Sequence, residues 1–428
     1  MRSFFGQPGL KLESLHPALD CPGRLSRKTS RLEHPPGSLK NRMQYDFTSL
    51  AARVAELIRT PRKALPAGTG PALEARFEAL ATDVFAAQFA SNPAYQSWCR
   101  SRGVTPADAP TWRDFPAVPT EAFKEIVFSS IPTAERTHEF RSSGTTAQRP
   151  SRHFHHGPSL ALYETAALAG FEDHLLADLD DLCEAQLLGP LDKPAFLSLT
   201  PPPEAAPHSS LVHMLGAVHR THGARDSLFA GRIASDGTWE LDLDRLLFAL
   251  RRSMCANRPV VLLGTAFNVV HLLDAFESGN IRYRLAAGSR LMETGGYKGR
   301  SRELPRAQLH AEVTRRLGLP ATAIITEYGM SELSSQGYDR VAQPLSPGTP
   351  CAPVFHFPHW CRATVVSPET GAEVADGARG TVRIVDLANL WSVATIQTSD
   401  EAIRRGTQFE LLGRVALSEP RGCSRMTA

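Results

Sequence analysis

No apolar run in this chain is long enough to cross a membrane, and its start lacks the continuous apolar core of a signal peptide. Nor is there an excess of one charge. Lys plus Arg number 47 and Asp plus Glu 44, a near balance that gives no argument for nucleic acid or an anionic membrane as partner. The cysteines form no pattern either. Cys21, Cys99, Cys183, Cys255, Cys351, Cys361 and Cys423 match no zinc spacing. Their odd number in so long a chain argues against a disulfide-stapled secreted domain, so a cytoplasmic, reducing setting is the expectation. An internal repeat and the lysine-containing nucleotide loop GxxxxGK[ST] are also missing. What is present is 428 residues, 42% hydrophobic and 21% charged. That is the composition of an ordinary soluble enzyme, with length for one large domain or two.

Residues 1–45 are rich in Arg, Pro, Gly and Ser without a sustained period, and read as a flexible extension. An amphipathic helix is expected from YDFTSLAARVAELI, and another from PALEARFEALATDVFAAQFA, which has proline near its start. A proline-punctuated stretch over 105–124 is expected to cross the surface in short pieces. After it come a helical run from Ser159, a buried strand AFLSLT at 195–200, strand–turn–helix in PVVLLGTAFNVVHLLDAF at 259–276, and strand then loop in ATAIITEYG at 321–329. Strands alternating with helices predict an α/β fold with mainly parallel sheets and ligands at the carboxyl ends of strands. Beyond residue 350 the pattern changes to β-strands joined by Thr-Gly and Asp-Gly turns. The expected domains are an extension over 1–45, an α/β core over 46–350, a β-rich subdomain over 351–412 and a tail over 413–428.

Three segments carry chemistry. In SSGTTAQR, 142–149, Gly144 lets the backbone approach a phosphate closely while the Ser and Thr hydroxyls and amides supply donors, with Arg149 adding charge. By itself the segment reads more readily as an ordinary polar turn, since short Ser/Thr/Gly clusters are common in turns. In TEYGMSE, 326–332, Tyr328 at a strand end could stack on a base and Glu332 could place a carboxylate near a divalent ion; a packed aromatic and a helix-start residue are the bland readings. In QTSD and FELLGR, Asp400 could accept from ribose hydroxyls with Arg414 nearby, or simply cap a turn beside a solvated arginine. METGGYKG at 292–299 adds paired glycines for close contact with a flat ligand, and Lys298. The histidines of HFHH at 153–156 lack a Cys or acidic partner at metal-site spacing.

The order of these segments resembles that of adenylate-forming enzymes: acyl-CoA ligases, firefly-type luciferases and peptide-synthetase adenylation domains. SSGTT, LLGTAFNVVHLLDAF, ETGGYKG, TEYGMSELSSQGY, FELLGR and RGCS more closely resemble the LuxE-type acyl-protein synthetases, over roughly residues 45 to 425. The resemblance implies the large N-terminal α/β domain of that superfamily. It implies that Ser142, Ser143, Gly144, Thr145 and Thr146 hold the ATP phosphates, and that Gly295 and Gly296 lie along the adenine with Tyr328 stacked on it. Asp400 and Arg414 would bind the ribose, and Glu332 would place Mg2+. His208 is expected to wall the carboxylate site beside Gly329, and Thr145, Arg149 and Lys298 to assist catalysis. The implied reaction joins a carboxylic acid, by family a fatty acid, to AMP with release of pyrophosphate.

Only VALSEPRGCSRMTA follows Arg414, without a lysine. The usual C-terminal lid domain with its catalytic lysine is therefore expected to be absent. The resemblance makes Cys423, flanked by Arg421 and Arg425, the acyl acceptor, since a thiolate attacks a mixed anhydride readily. An acyl-protein reductase or a carrier protein is the implied recipient, and a homo-oligomer is compatible. The competing expectations are an acyl- or aryl-coenzyme A ligase, a non-catalytic nucleotide-binding subunit, and a cysteine hydrolase.

Overall fold

A computed structural model describes residues 45–60, 70–142, 149–179, 193–235, 237–295, 304–342 and 353–414. The chain separates into Met1–Gln44, which lies outside the described residues, and one compact unit, Tyr45–Ala428.

The unit begins with helices α1 (Phe47–Ile58), α2 (Gly70–Ser91) and α3 (Pro93–Arg100). The first starts where it does because Asp46 Oδ1 accepts from the N–H groups of Thr48 and Ser49 at 3.0 and 3.1 Å, satisfying donors a helix start leaves open. The proline-rich stretch that follows yields the two-residue strand β1 (Val118–Pro119) and one helical turn, α4 (Ala122–Glu125). A two-stranded hairpin comes next, β2 (His138–Arg141) with β3 (Arg152–His155), and then α5 (Gly157–Phe171).

The central sheet is laid down by β4 (Ala195–Ser198), β5 (Leu228–Phe229), β8 (Val260–Thr265), β9 (Arg290–Thr294), β10 (Ile324–Tyr328) and β11 (Gly337–Tyr338). A small separate hairpin, β6 (Gly231–Ile233) with β7 (Trp239–Leu241), falls between them. The strand order is β11-β10-β9-β8-β4-β5, parallel throughout except for the antiparallel β10–β11 pair. Helices α6 (Ser210–His222), α7 (Leu243–Cys255), α8 (Ala266–Ser278) and α9 (Arg306–Leu317) are the other helices of this half. The central strands are buried on both faces, and β4 and β8 accordingly read as near-continuous apolar runs, whereas β9 and β10 also bury Arg290, Glu293, Thr326 and Glu327. Alternate residues divide between two cores. Leu197, Leu262, Leu291 and Ile324 join the core that includes α7, α8 and α9, while Phe196, Leu263, Met292 and Ile325 join the one that includes α5 and α6. Truncating such a residue, Leu262→Ala for instance, costs about 2–5 kcal/mol through lost transfer energy and the cavity left behind.

The second sheet joins β12 (Cys361–Val366), β13 (Arg379–Asp386), β14 (Thr395–Arg405) and β15 (Gln408–Arg414) in antiparallel pairs. The distant β1 adds to β14 in parallel, Val118 opposite Ile396. This β-rich segment shares one hydrophobic core with α1, α2 and α3. Its burial therefore depends on the start of the compact unit, a dependence no local pattern encodes.

Candidate functional site

Parallel strands deliver their last residues to one edge of the sheet, here Thr265 of β8, Thr294 of β9 and Tyr328 of β10. Gly295 follows β9 with φ +72°, a left-handed conformation that glycine adopts without the Cβ penalty. Gly329 follows β10.

Tyr328 is buried and packed against Phe355, Phe357 and Phe409, with ring centroids 5.6 to 6.0 Å away. Its hydroxyl donates to Oδ2 of buried Asp400 at 2.6 Å, tying the end of the central sheet to β14 of the second sheet. Asp400 pairs in register with Arg414 of β15.

Residues 143–148, between β2 and β3 in sequence, lie outside the described residues, but Ser142 and Ser151 on either side are described. Ser142 N–H donates to Ser151 O at 3.2 Å, and Ser142 Oγ accepts from Ser151 N–H at 2.9 Å. That pair rests against the loop after β10. Ser151 Oγ lies 3.4 Å from Ser331 Oγ, and His153 Nδ1 donates to the Ser331 carbonyl at 2.9 Å. Burial lowers the His153 pKa to about 4, so the ring is neutral near pH 7 and its Nδ1–H is fixed by that bond. Ser331 Oγ in turn donates to Glu332 Oε2 at 2.9 Å, and Glu332 is buried. Hydrogen bonds thus bring together the hairpin base and Ser331–Glu332, and separately join Tyr328 to Asp400.

Residues that the sequence reading passed over hold the loop of Ser331, Glu332, Ser334 and Ser335. Asp386, at the end of β13, accepts from Ser334 N–H and Ser335 N–H at 2.9 and 2.8 Å, from Ser335 Oγ at 2.7 Å and from Ala388 N–H at 3.0 Å. Burial nevertheless leaves its pKa raised. Asn389 Nδ2 donates to the Glu332 carbonyl at 2.9 Å, and its Oδ1 accepts from Ser334 Oγ at 2.9 Å. The signal available in sequence was a lone DLAN at a strand end, which reads as a turn.

Glu327 is the other unforeseen group. Alone, a glutamate before a strand end reads as exposed, yet it is buried beneath Gly329 and accepts from Thr294 Oγ1. Burial pushes its pKa up to about 7, with the Glu293 carboxylate adding to the shift.

Arg149 turns to the surface, where it pairs with Glu125 at 3.1 Å, both side chains largely exposed. His208 lies along β2: its Nδ1 donates to the Glu139 carbonyl at 2.9 Å, and its own carbonyl accepts from Arg141 N–H at 2.9 Å. It lines an open depression of about 510 Å³ with Arg136, His138, Arg152 and Phe154. Ser143, Gly144, Thr145, Thr146, Gly296, Lys298 and Cys423 lie outside the described residues, as does the side chain of Arg414. Among the described residues no group of three or more His, Cys, Asp or Glu is placed to hold a metal, and no helix is long and apolar enough to cross a membrane. A single carboxylate with neighbouring hydroxyls does suit Mg2+, a hard cation that takes few protein ligands and completes its shell with phosphate oxygens and water.

No protein-family model and no curated protein matches the chain. Solved structures share its fold. An open conformation of 2-hydroxyisobutyryl-CoA ligase in complex with 2-HIB-AMP and CoA aligns with a TM-score of 0.53 and 13% identity, over 82% of this chain and 74% of that one. The same ligase in the postadenylation state with 2-HIB-AMP gives 0.54 and 13%, over 81% and 68%. In the thioesterification state with 2-HIB-AMP and CoA it gives 0.55 and 13%, over 81% and 69%. The described residues therefore form the large mixed α/β domain of the adenylate-forming fold.

Proposed function

We propose that this protein is an ATP-dependent, AMP-forming ligase that activates a carboxylic acid as its acyl-adenylate. One observation carries the reading. The loop at the carboxyl end of β10 is hydrogen-bonded to Ser151 and His153 through Ser331, and Tyr328 at the end of β10 to Asp400, so segments distant in sequence meet at the end of a parallel sheet. Their residue types suit phosphate, nucleoside and metal, and the fold is shared with a ligase crystallised with 2-HIB-AMP.

In this reading the segment from Ser142 through Thr146 holds the ATP phosphates by backbone N–H and hydroxyl groups. Gly295, Gly296 and Tyr328 bind the adenine, and Asp400 with Arg414 the ribose. Glu332 would hold Mg2+, which supplies charge neutralisation at the phosphate oxygens. His153 and Asp386 hold the Ser331–Ser335 loop in place, so that Glu332 is presented without reorganisation. A substrate carboxylate oxygen forms a bond to the α-phosphorus while the bond to the bridging oxygen of the β-phosphate breaks, and pyrophosphate leaves. Arg149 has no assigned step, given its pairing with exposed Glu125.

The acceptor of the acyl group is a thiol. Coenzyme A is the better supported, because the three solved structures described above are of a CoA ligase, two of them with CoA bound. The second reading, transfer to Cys423 and onward to an acyl-protein reductase or carrier protein, rests on the RGCS motif and the resemblance to the LuxE-type acyl-protein synthetases.

The test is ATP–pyrophosphate exchange across a panel of aliphatic and aromatic acids. Acid-dependent exchange is expected, falling about 100-fold in Glu332→Gln. Exchange that is absent across the panel would refute activation, and an unaltered rate in the variant would refute the metal role. An acyl-CoA product identifies the first acceptor. Acid-stable, thiol-sensitive protein labelling that Cys423→Ser abolishes identifies the second.

A further inference from the structure

Where β9 and β10 end, a cavity of about 70 Å³ is bounded by apolar side chains including Leu211 and Met214 of α6, and by the polar residues Tyr163, Ser210, Thr294, Glu327 and Gln336. One water requires about 10–15 Å³ of such space. The volume among the described residues therefore suits a compact group and not a long alkyl chain. Its polar lining is unbalanced. Glu327 is fully enclosed and, among the described residues, is engaged by the hydroxyl of Thr294 with no cation paired to it. Gln336 is 6% exposed, and its Oε1 is buried with no hydrogen-bond partner among the described residues. A Cβ built on Gly329 would lie 2.4 Å from Glu327 Oε1 and 3.6 Å from Gln336 Cγ, so the two side chains converge on the same face of that glycine. Leaving a buried acceptor such as Gln336 Oε1 without a donor is unfavourable. A pocket that sets it beside the Glu327 carboxyl is complementary to a ligand that brings a donor with it.

We propose that this cavity receives the carbon skeleton of a short acid bearing a hydrogen-bond donor, a hydroxyl or an ammonium, which Glu327 and Gln336 Oε1 accept. The inference rests on the adenylation reading for what happens to the acid's carboxylate, which lies toward Gly329 and the Ser331–Glu332 loop. The donor-bearing end points away from the reacting carboxylate and decides which acids enter. A site built this way rejects an analogue lacking the donor, because its own buried groups are then left unpaired.

The experiment is calorimetric binding of butyrate, 3-hydroxybutyrate and 3-aminobutyrate to the full chain in the presence of a non-hydrolysable ATP analogue. Wild type is compared with Glu327→Gln and Gln336→Leu, each first shown to be folded by its melting transition, and exchange assays run alongside. A donor-bearing acid is expected to bind about tenfold or more tighter than butyrate, with the margin shrinking in Gln336→Leu. If the donor is an ammonium, Glu327→Gln abolishes the preference for 3-aminobutyrate; if a hydroxyl, 3-hydroxybutyrate is still preferred in that variant. Butyrate binding as tightly as both donor-bearing acids, a preference untouched by either substitution, or no binding of any of the three overturns the inference. Preferential binding without acid-dependent exchange would instead sink the adenylation reading and leave the pocket's selectivity standing.

Discussion

Replacing Glu327 by glutamine should stabilise the protein, and more so at pH 8 than at pH 5. The carboxyl group is fully enclosed, and burial raises its pKa from 4.5 to about 7. The folded state therefore holds this proton more tightly than the unfolded chain does. Stability contributed by the group is complete below about pH 4.5 and is lost as pH rises through about 7, where the folded protein ionises too. At 1.36 kcal/mol per tenfold in proton affinity, the loss across that window is about 3 kcal/mol. Glutamine is close in shape, keeps an acceptor for Thr294 Oγ1 and has no charge to bury. Urea denaturation of both proteins at pH 5, 6, 7 and 8 measures the difference directly. The stability gap should widen in favour of Glu327→Gln by about 2–3 kcal/mol between pH 5 and pH 8. A gap independent of pH, or one that narrows as pH rises, would refute the buried-carboxyl argument.

Other perturbations follow from the same geometry. Asp386→Ala leaves the N–H groups of Ser334, Ser335 and Ala388 without their acceptor and should lower stability by about 2–4 kcal/mol in urea titrations, with adenylation falling as the Glu332 loop loosens. Tyr328→Phe removes one hydrogen bond to buried Asp400 and should cost about 1–3 kcal/mol, with a weaker apparent affinity for ATP in exchange assays; an unchanged melting point and ATP dependence would count against the link. Gly329→Ala places a methyl group 2.4 Å from Glu327 Oε1, displacing that carboxyl, so discrimination between donor-bearing and plain acids should collapse while the protein still folds. Gly231→Ala, by contrast, drives a methyl to 2.2 Å from the backbone carbonyl carbon of Thr200, and soluble yield should drop sharply.

Part of the central sheet was legible because strands buried on both faces, such as β4 and β8, read as short apolar runs. PVVLLGT became β8, and Thr265 at its end became the cap of α8 through Asn268 N–H. AFLSLT gave a strand that stops at Ser198, two residues earlier than its apolar run, before the prolines. Less legible was the assembly of the second sheet. Val118–Pro119 lies among prolines with no strand signature, and its pairing with β14 is set by tertiary packing across nearly three hundred residues of chain. The motif segments could be named in sequence, but the bonds between them could not: nothing local predicts that Tyr328 reaches Asp400, or that His153 grips the Ser331 carbonyl. Glu327 and Asp386 were missed for one reason. A carboxylate is read as solvated until the helices and loops that enclose it are in place.

The central claim is that a carboxylate oxygen of the substrate becomes bonded to the α-phosphorus of ATP. It is tested most directly with an acid carrying 18O in both carboxyl positions, turned over with ATP and a thiol acceptor, and mass analysis of the nucleotide product. Thiol attack on the acyl carbon breaks its bond to the bridging oxygen, so the account predicts AMP containing one 18O atom and pyrophosphate containing none. Unlabelled AMP, or ADP with labelled inorganic phosphate, would contradict it.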